Sequence, residues 1–502
     1  MLAKRIPTYS LVRWTIQLLF LALFVIFFVR TAYGVSPTGG DLFFRFDPLV
    51  LLITCIALRG VLSAALLALV LLALTLVFGR FFCGFICPLG TAIDLFDSLL
   101  RRPRTRATRL QYLKYGVLLL LVAAAAFGST FIAWFDPLAI AERVLALVFH
   151  PTGTRIAALF GVTRIQRYSE LVIALASFAA ILGLGFIAPR FWCRNVCPLG
   201  GIFALFSRIS LFKFTFAAEC RDCSLCERVC PTGAIDSARR RIDSGECIAC
   251  LACRYRCPGR SVSYRVATKP AAFDSGRREA LITLGAALVL APLAAKLTRP
   301  GQNPELIRPP GALPESDFLG ACIRCERCMK SCPTNGLQPS VFETGLNGIW
   351  TPRLVPRAGP CERNCNLCGR VCPTGALRRL SLEEKTFAKI GNSVIDQTRC
   401  IAWTENRVCL ICDEACQYNA IDSFSKVVDG INLLRPYVNE CYCVGCGVCE
   451  FRCPVKGAAA IRVFAHGEDR RRSGSYKTGG TLLRRECGDT PEEDVPSGFI
   501  QE

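Results

Sequence analysis

Apolar runs separated by short basic segments fill the first 190 residues, and this pattern predicts an α-helical membrane domain. A helix needs about 20 predominantly apolar residues to cross a bilayer. Three runs meet that requirement: 14–34, 115–134 and 170–188. A longer run at 48–79 adds a fourth predicted span.

The run 48–79 is interrupted at Arg59 and Gly60. Its part before Arg59 is too short to cross, so we expect a re-entrant or tilted start there and the crossing at 61–79. A charge inside a span is a functional candidate; the competing interpretation is that Arg59 ends a helix at the break. Asp136-Pro137, just after the third run, is expected to stop that span at its outer end.

Basic residues set the expected orientation of these spans. Lys and Arg are concentrated in 1–13 and 101–114, and the positive-inside rule places such segments in the cytoplasm. The loops 35–47 and 135–169 then face outward. The formal net charge of +21 follows this placement around the membrane, which argues against a nucleic-acid-binding protein.

A fifth apolar stretch, 280–296, follows Arg277 and Arg278 and predicts a signal-anchor span. A basic pair before a short apolar segment is typical of a twin-arginine export signal. An ordinary signal anchor, with or without cleavage, is the alternative. Either route places the chain after residue 298 outside the cytoplasm.

Cysteine is the chemistry-bearing residue, with 31 copies in 502 residues. The spacing C-x2-C-x2-C-x3-C-P is typical of [4Fe–4S] clusters, because three thiolates hold one cluster while the fourth ligates its neighbour. Four quartets have this form: Cys220, Cys223, Cys226 and Cys230; Cys247, Cys250, Cys253 and Cys257; Cys322, Cys325, Cys328 and Cys332; and Cys443, Cys446, Cys449 and Cys453. Two quartets are looser: Cys361, Cys365, Cys368 and Cys372; and Cys400, Cys409, Cys412 and Cys416. Six clusters are therefore predicted.

The two quartets nearest the spans form a predicted two-cluster ferredoxin module with exchanged fourth ligands. One cluster would be held by Cys220, Cys223, Cys226 and Cys257. The other would be held by Cys247, Cys250, Cys253 and Cys230.

A shorter motif, C-x3-C-P-L-G, occurs twice, each time just after an even-numbered span. The unit of two spans plus this motif is thus an internal repeat. Its four cysteines are Cys83, Cys87, Cys193 and Cys197. A seventh shared cluster, a thiol–disulfide pair and another metal site all stay open for them. Three cysteines remain unassigned: Cys55, Cys441 and Cys487.

Other cofactors lack their motifs. There is no C-x-x-C-H for c-type haem. His150 and His466 are the only histidines, which excludes a bis-histidine haem within the spans. No G-x-G-x-x-G fingerprint precedes a helix. Iron–sulfur clusters are the only cofactors that the motifs indicate.

The chain divides into five predicted regions with α+β ferredoxin-like modules attached to an α-helical membrane domain. They are the four-span membrane domain with its two C-x3-C-P motifs (1–215), a cytoplasmic two-cluster module (216–274), the fifth span with a linker (275–317), a periplasmic four-cluster module (318–466) and a disordered tail (467–502).

Residues 10–262 resemble the NapH-type membrane polyferredoxin of periplasmic nitrate reduction, with four spans, two C-x3-C-P motifs and two cluster motifs. Residues 275–465 resemble its partner, the exported NapG/MauM-type four-cluster ferredoxin. The irregular quartet that begins at Cys400 and the ending from Cys449 to Val463 carry this second resemblance. The chain thus looks like a fusion of the two.

This resemblance implies a quinol-dehydrogenase-type electron-transfer subunit in the bacterial inner membrane, not a stand-alone catalyst. Quinol from the quinone pool would be the substrate, with Arg59 as a candidate quinone-binding residue. A multihaem cytochrome or a reductase, such as nitrate reductase, would be the periplasmic partner. By the same analogy, the quartet at Cys322 pairs with that at Cys443, and the two between them pair together; sequential pairing stays open.

Two other function classes fit the same motifs. Related polyferredoxins serve the maturation of periplasmic metalloenzymes or methylamine dehydrogenase, where clusters supply reducing equivalents. A redox sensor is the third class, but six clusters exceed what sensing needs.

Overall fold

The computed structural model places most of the chain. The described residues are 8–31, 41–60, 66–100, 109–128, 130, 132–161, 166–168, 171–217, 220, 223–266, 285, 292, 303–341, 343–428 and 431–477. They form two compact units. Unit 1 consists of Met1–Arg30, Thr38–Phe149 and Leu171–Thr298, and unit 2 of Thr31–Pro37, His150–Glu170 and Arg299–Glu502.

Unit 1 begins with short and medium-length helices. They are α1 Thr8–Arg30, α2 Leu42–Arg45, α3 Pro48–Leu58, α4 Leu67–Phe78, α5 Phe81–Phe85, α6 Pro88–Leu100, α7 Leu113–Ala126, α8 Ile132–Phe135 and α9 Pro137–Val144. After α10 (His150–Leu159, in unit 2), unit 1 continues with α11 Leu171–Gly183, a π-helical turn Trp192–Val196 and α12 Pro198–Arg208.

Membrane-crossing length is found in one helix of the described residues, Ser10–Arg30. Four shorter apolar helices lie at Pro48–Leu58, Leu67–Phe78, Leu110–Ala126 and Leu171–Phe186. The four predicted spans are therefore not confirmed as full crossings and stay a prediction. The predicted fifth span, 280–296, lies outside the described residues except at Gly285 and Pro292.

The helical part of unit 1 has an approximate twofold arrangement. Helix α1 contacts α6, as the corresponding α7 contacts α12. Helix α6 contacts α9 of the other half, as α12 contacts α3. The internal repeat therefore extends from sequence into packing, and it brings the beginnings of α6 and α12 into corresponding positions.

The predicted two-cluster module has α+β structure and completes unit 1. Strand β1, Phe212–Phe216, pairs antiparallel with β4, Val262–Val266, and β2, Ile235–Asp236, pairs with β3, Arg241–Ile242. Helices α13 (Leu225–Val229) and α14 (Ala252–Arg256) each lie directly before the last cysteine of a quartet.

Unit 2 carries the four remaining quartets on short elements. Its helices after α10 are α15 Glu315–Ala321, α16 Arg327–Lys330, α17 Leu367–Arg370, α18 Leu382–Lys385, α19 Ile401–Thr404, α20 Ile411–Glu414 and α21 Val448–Arg452. Its strands are β5 Leu337–Pro339, β6 Pro352–Leu354, β7 Asn392–Ile395, β8 Ile421–Val428, β9 Ile431–Val438 and β10 Ile461–Phe464. Antiparallel pairs form between β5 and β6, β7 and β10, and β8 and β9.

Parts of the predicted linker and of the predicted disordered tail are folded. Arg308, in the predicted linker, is 1% exposed, and its guanidinium bonds the Glu315 carboxylate at 2.6 Å. Arg470, in the predicted tail, bonds the same carboxylate at 2.6 Å. Tyr476 is also buried. Residues 303–316 and 467–477 are thus part of the folded module, because buried charges require this pairing.

A buried charge cluster joins the ferredoxin module of unit 1 to its helices. Glu246, next to Cys247, accepts a hydrogen bond from the Lys114 ammonium and lies 3.4 Å from the Arg80 guanidinium. All three side chains are almost completely buried. Arg80 also donates to the Gly245 carbonyl oxygen at 2.6 Å.

We expect Glu246→Gln to destabilise unit 1 by about 3–5 kcal/mol, because it leaves two buried cations without their counter-charge. Urea titration of the detergent-solubilised protein, followed by cluster absorbance, measures this loss. Asp236→Asn is the matched control: its pair with Arg239 is exposed, so we expect a change within about 0.5 kcal/mol. Equal effects of the two substitutions would contradict the assignment.

Candidate metal centres

The four strict quartets share one backbone feature. In each, the residue after the second cysteine has a positive φ and begins a short helix. These residues are Ser224 (54°), Leu251 (62°), Glu326 (63°) and Gly447 (76°). Alternating left- and right-handed residues aim successive backbone N–H groups into a concavity that suits an anionic iron–sulfur cluster. Backbone strain of this kind is concentrated at functional sites.

The two looser quartets lack this left-handed residue. Asn366 and Leu410, which follow the second cysteine there, have φ values of −132° and −120°. The difference in spacing therefore has a local structural counterpart, although each looser quartet still places its third cysteine in a short helix, α17 or α20.

In the inner module, one cavity is lined by four cysteines from two quartets: Cys220, Cys223, Cys226 and Cys257. These are the thiols that the spacing groups around one cluster. The sulfur of Cys257 accepts a backbone hydrogen bond from Ser261 at 3.3 Å. Such N–H···S bonds tune the reduction potential of a cluster.

The second thiol group of the inner module also consists of the four predicted cysteines. Cys230 and Cys250 interact electrostatically with Cys247 and Cys253. The sulfur of Cys230 accepts a hydrogen bond from Ala234 N at 3.3 Å, as Cys257 does from Ser261. The exchanged fourth ligands thus have the same local geometry in both halves of the module.

The outer module pairs its quartets sequentially, so the analogy-based pairing is wrong. A cavity there is lined by Cys400, Cys409, Cys412 and Cys453, which joins the quartet at Cys400 with the one at Cys443. Two consecutive quartets together form one lobe. The connection between them is short, so closing the lobe costs little conformational entropy.

The quartet at Cys322 shows the same exchange with its neighbour in the sequence. Cys328 interacts electrostatically with Cys325, Cys322 and Cys372. Cys325 is buried, at 8% exposure, and Cys322 interacts with Cys372 as well. The first three cysteines of this quartet are therefore grouped with Cys372, and not with the fourth cysteine of their own quartet or with the distant quartet at Cys443.

The remaining outer groups follow the same exchange. Cys332 lies with Cys361, Cys365 and Cys368. Cys416 lies with Cys443 and Cys446, and Cys449 interacts with the same two cysteines.

The two lobes of the outer module meet at a backbone hydrogen bond, from Cys361 N to Cys446 O at 2.9 Å. The four thiol groups therefore follow one another in space in the order of the Cys322, Cys361, Cys443 and Cys400 groups, each named by its first cysteine. Electrons could pass along this order with one step between lobes.

Around the two C-x3-C-P motifs, the structure brings all four thiols together. Cys87 interacts with Cys83 and Cys193, and Cys197 interacts with the other three. Each second cysteine accepts a hydrogen bond from the glycine of its own motif: Gly90 N donates to Cys87 at 3.4 Å, and Gly200 N to Cys197 at 3.3 Å. We call these four cysteines the four-thiol site.

Two buried arginines compensate the negative charge that thiolates would place there. Arg190 forms a bidentate pair with Asp94 at 2.6 Å and donates to Cys83 O at 2.9 Å. Arg80 interacts with Cys83 and Cys197. Despite burial, Arg190 and Arg13 lower the pKa of Asp94 to about 2, so this carboxylate is ionised at neutral pH.

Without a metal, burial keeps the thiols of Cys87, Cys193 and Cys197 protonated. It raises the pKa of the Cys193 thiol to about 11 and raises the pKa values of Cys87 and Cys197 as well. Cluster ligands are thiolates, so cluster binding would release protons from this site.

The four-thiol site lies directly beside the inner ferredoxin module. Cys83 packs against Ile248, Cys250 and Ala252. Gly84 contacts the Ile248 carbonyl so closely that a Cβ at this position would clash with it. Cys250 belongs to the thiol group of Cys247, and Ile248 lies in the same loop. Gly84 therefore allows the four-thiol site and this second candidate cluster site to lie next to each other.

Each thiol group consists of cysteine side chains alone. A single zinc brings thiolates within bonding distance of one centre at about 2.3 Å each. A cubane separates its four ligands by its own width, and all-cysteine sets with nearby N–H donors fit it.

The other candidate residues have ordinary surroundings. Arg59 is exposed and adopts a left-handed conformation at the end of α3, which agrees with its interpretation as a helix end; its quinone contact stays a prediction. Cys55 is half-buried in α3, and Cys441 is disulfide-bonded. Cys487 lies outside the described residues.

Two repeated signals were missed by the sequence reasoning. Arg80 and Arg190 each stand three residues before the first cysteine of a motif. Phe-Asp-Pro-Leu also occurs once in each half, at Asp47 and Asp136. Helix α8 ends at Phe135, directly before Asp136, as the predicted stop requires. Asp136 also begins α9, because an aspartate followed by proline is a helix start signal.

Comparison with known proteins agrees with this geometry. A family model described as "4Fe-4S binding domain" matches residues 61–106 and 171–216, which contain the two C-x3-C-P motifs. The methylamine utilization ferredoxin-type protein MauM of Paracoccus denitrificans (strain Pd 1222) is 38% identical over 162 residues, 32% of this chain and 70% of that protein. The chain belongs to the family of ferredoxin-type proteins that includes MauM and NapG. It is an iron–sulfur electron-transfer protein.

Two further relatives show the breadth of the family. MauM of Methylophilus methylotrophus is 36% identical over 195 residues, 37% of this chain and 84% of its own length. The ferredoxin-type protein NapG of Escherichia coli (strain K12) is 34% identical over 173 residues, 32% of this chain and 70% of its own length. No solved structure matches the chain.

The sequential pairing of the outer module makes a specific prediction. Cys453→Ser and Cys409→Ser should change the reduction potential of the same cluster, because both line one cavity. Potentiometric EPR titration of the full chain resolves the signals. Cys322→Ser is the control and should alter a different signal; if it shares its signal with Cys453→Ser, the outermost quartets pair instead.

The four-thiol site predicts a cluster that the six quartets do not account for. Cys193→Ser should lower the iron and acid-labile sulfide content of the purified protein by one cluster. Cys55→Ser, the matched change of a cysteine outside every quartet and motif, should leave both unchanged. Unchanged iron in Cys193→Ser would show that the site holds no cluster.

Proposed function

We propose that this protein is a membrane-bound quinol-dehydrogenase-type electron-transfer protein that passes electrons from quinol to a periplasmic redox partner. The observation that carries the proposal is the four-thiol site, built among apolar helices and in contact with the inner ferredoxin module. A cluster there would accept electrons from a lipid-soluble donor and pass them to a ferredoxin.

The surface of the helices supports a bilayer environment. Leu19, Val29, Val70 and Val172 are all exposed, on runs of otherwise apolar sequence. Apolar side chains on every face of a helix are typical of membrane helices. We propose that the four runs form a four-span membrane domain, in which the re-entrant α3 and other short helices complete the spans with their neighbours.

Two short relays follow from the thiol positions. In unit 1, electrons would pass from the four-thiol site to the cluster of Cys247 and then to that of Cys220. In unit 2, they would pass along the four groups between the ends marked by Cys322 and Cys400. The six quartets would each hold one [4Fe–4S] cluster, and the four-thiol site a seventh.

The Cys400 end of the outer relay suits contact with a partner. Val408, directly before the ligand candidate Cys409, is exposed. Gln166, also in unit 2, donates to the carbonyl oxygens of Lys330 and Cys332, so unit 2's own chain covers the segment that supplies Cys332 to the Cys361 group. The disulfide at Cys441 supports a periplasmic location, since such bonds persist in oxidising compartments.

A second candidate function is electron supply for maturation of a periplasmic metalloenzyme or methylamine dehydrogenase. The similarity to MauM, which is named for methylamine utilization, favours it. Loss of the gene separates the two functions. A maturation factor leaves its target enzyme present but inactive, whereas a quinol dehydrogenase leaves the target active with artificial electron donors.

Quinol should reduce the clusters of the intact protein in liposomes. We expect menadiol, a water-soluble quinol, to generate the EPR signals of reduced clusters, and Cys193→Ser to lose this reaction while dithionite still reduces the six remaining clusters. Wild-type protein that dithionite reduces but menadiol does not would contradict the proposed function.

A further inference from the structure

Two carboxyl groups meet in the interior of unit 1, one from each half of the internal repeat. Asp47 is 1% exposed and Asp136 is fully buried. Each is the N-cap of a helix that begins with proline, α3 or α9. A side-chain hydrogen bond joins the two carboxyl groups.

The oxygen atoms divide into two roles. Asp47 Oδ1 accepts from Leu49 N at 2.8 Å and Val50 N at 3.3 Å, and Asp136 Oδ2 accepts from Ala139 N at 2.6 Å. The other two oxygens, Asp47 Oδ2 and Asp136 Oδ1, are buried and have no donor among the described residues. Two acceptors can share a hydrogen bond only when one carries a proton, and adjacent buried carboxylates do not both ionise.

An aromatic contact connects the segment of this carboxyl pair with a segment of the four-thiol site. Phe135, next to Asp136, stacks on Trp192, next to Cys193, with 6.3 Å between ring centroids and an interplanar angle of 11°. The helices that the pair caps, α3 and α9, contact α12 and α6, which begin at Cys197 and Cys87. Arg143 is the charged group that faces Asp136 from its own helix, and Asp47 faces it from α3.

Helix capping alone does not require two acids here. A cap needs an acceptor oxygen, which Asn, Ser or Thr provides without a titratable group. Placing an aspartate at both caps, at the point where the halves meet, adds the cost of burying a charge. Compared with uncharged caps, the acid pair adds a buried site that can gain and lose a proton.

We propose that the Asp47–Asp136 pair is the proton acceptor for quinol oxidation at the four-thiol site. This inference rests on the proposed function, and it adds the residues that take the proton. A proton acceptor must lie near the quinol, and the Phe135–Trp192 contact, which joins the chain neighbours of Asp136 and Cys193, supports this placement.

The step balances in protons and electrons. Quinol loses one O–H proton to the pair, whose charge changes from −1 to 0, and one electron to an oxidised [4Fe–4S] cluster, whose charge becomes more negative by one. The pair then releases the proton to water. A second proton and electron follow the same route, which leaves quinone.

Asp136→Asn and Asp47→Asn test the pair, because asparagine keeps the cap but cannot accept the proton. We expect either substitution to slow cluster reduction by menadiol by about 100-fold or more, the usual effect of losing a general base. Reduction by dithionite and the iron content should stay at wild-type values. Asp41→Asn is the matched control: Asp41 is buried but paired with Arg45 at 2.7 Å, and its loss should leave the menadiol rate unchanged.

Infrared spectroscopy gives a second readout that does not depend on turnover. The wild-type protein should show the C=O stretch of a buried carboxylic acid, and each Asn variant should lack it, because the amide N–H replaces the shared proton. Variants that retain the wild-type menadiol rate, or a wild-type spectrum without this band, would overturn the pair while the proposed function stands. Wild-type clusters that menadiol cannot reduce would overturn both.

Discussion

Burial of thiol groups next to compensating cations is the constraint on which unit 1 depends. Four cysteines converge in the interior, where uncompensated thiolates would be costly. Arg80 and Arg190 lie among them, and Asp94 and Glu246 hold these arginines in place. Because Glu246 belongs to the ferredoxin module, the same charges that stabilise the four-thiol site also attach the module to the helices.

The internal repeat explains how one short motif can build a complete site. A C-x3-C-P motif supplies only two thiols, and its proline and second cysteine begin a helix that buries them. Two such helices, α6 and α12, occupy corresponding positions, so two incomplete halves give one set of four thiols. The same geometry brings Asp47 and Asp136 together, which makes the carboxyl pair a second product of the repeat.

The spacing of neighbouring cysteines predicted much of the site. The features that depend on contacts between distant residues could not be predicted from the sequence. The exchanged ligands of the inner module follow from neighbouring quartets, since only one partner lies within reach of Cys230 or Cys257. For the outer module, two pairings satisfy the same spacing, and the choice depends on how the lobes meet at Cys361 and Cys446. The pairing of Asp136 with Asp47 was not predicted, because the two residues lie far apart in the sequence. Helix lengths differed from the predicted spans because apolar composition does not determine where a helix breaks, as α3 does at Arg59.

An iron-density map of the intact, anaerobically purified protein, by anomalous diffraction or electron cryomicroscopy, tests the central claim most directly. The account predicts a cubane-sized density enclosed by Cys83, Cys87, Cys193 and Cys197, next to the density held by Cys247, Cys250, Cys253 and Cys230. Absence of iron among the first four cysteines, or a disulfide between two of them, would contradict it.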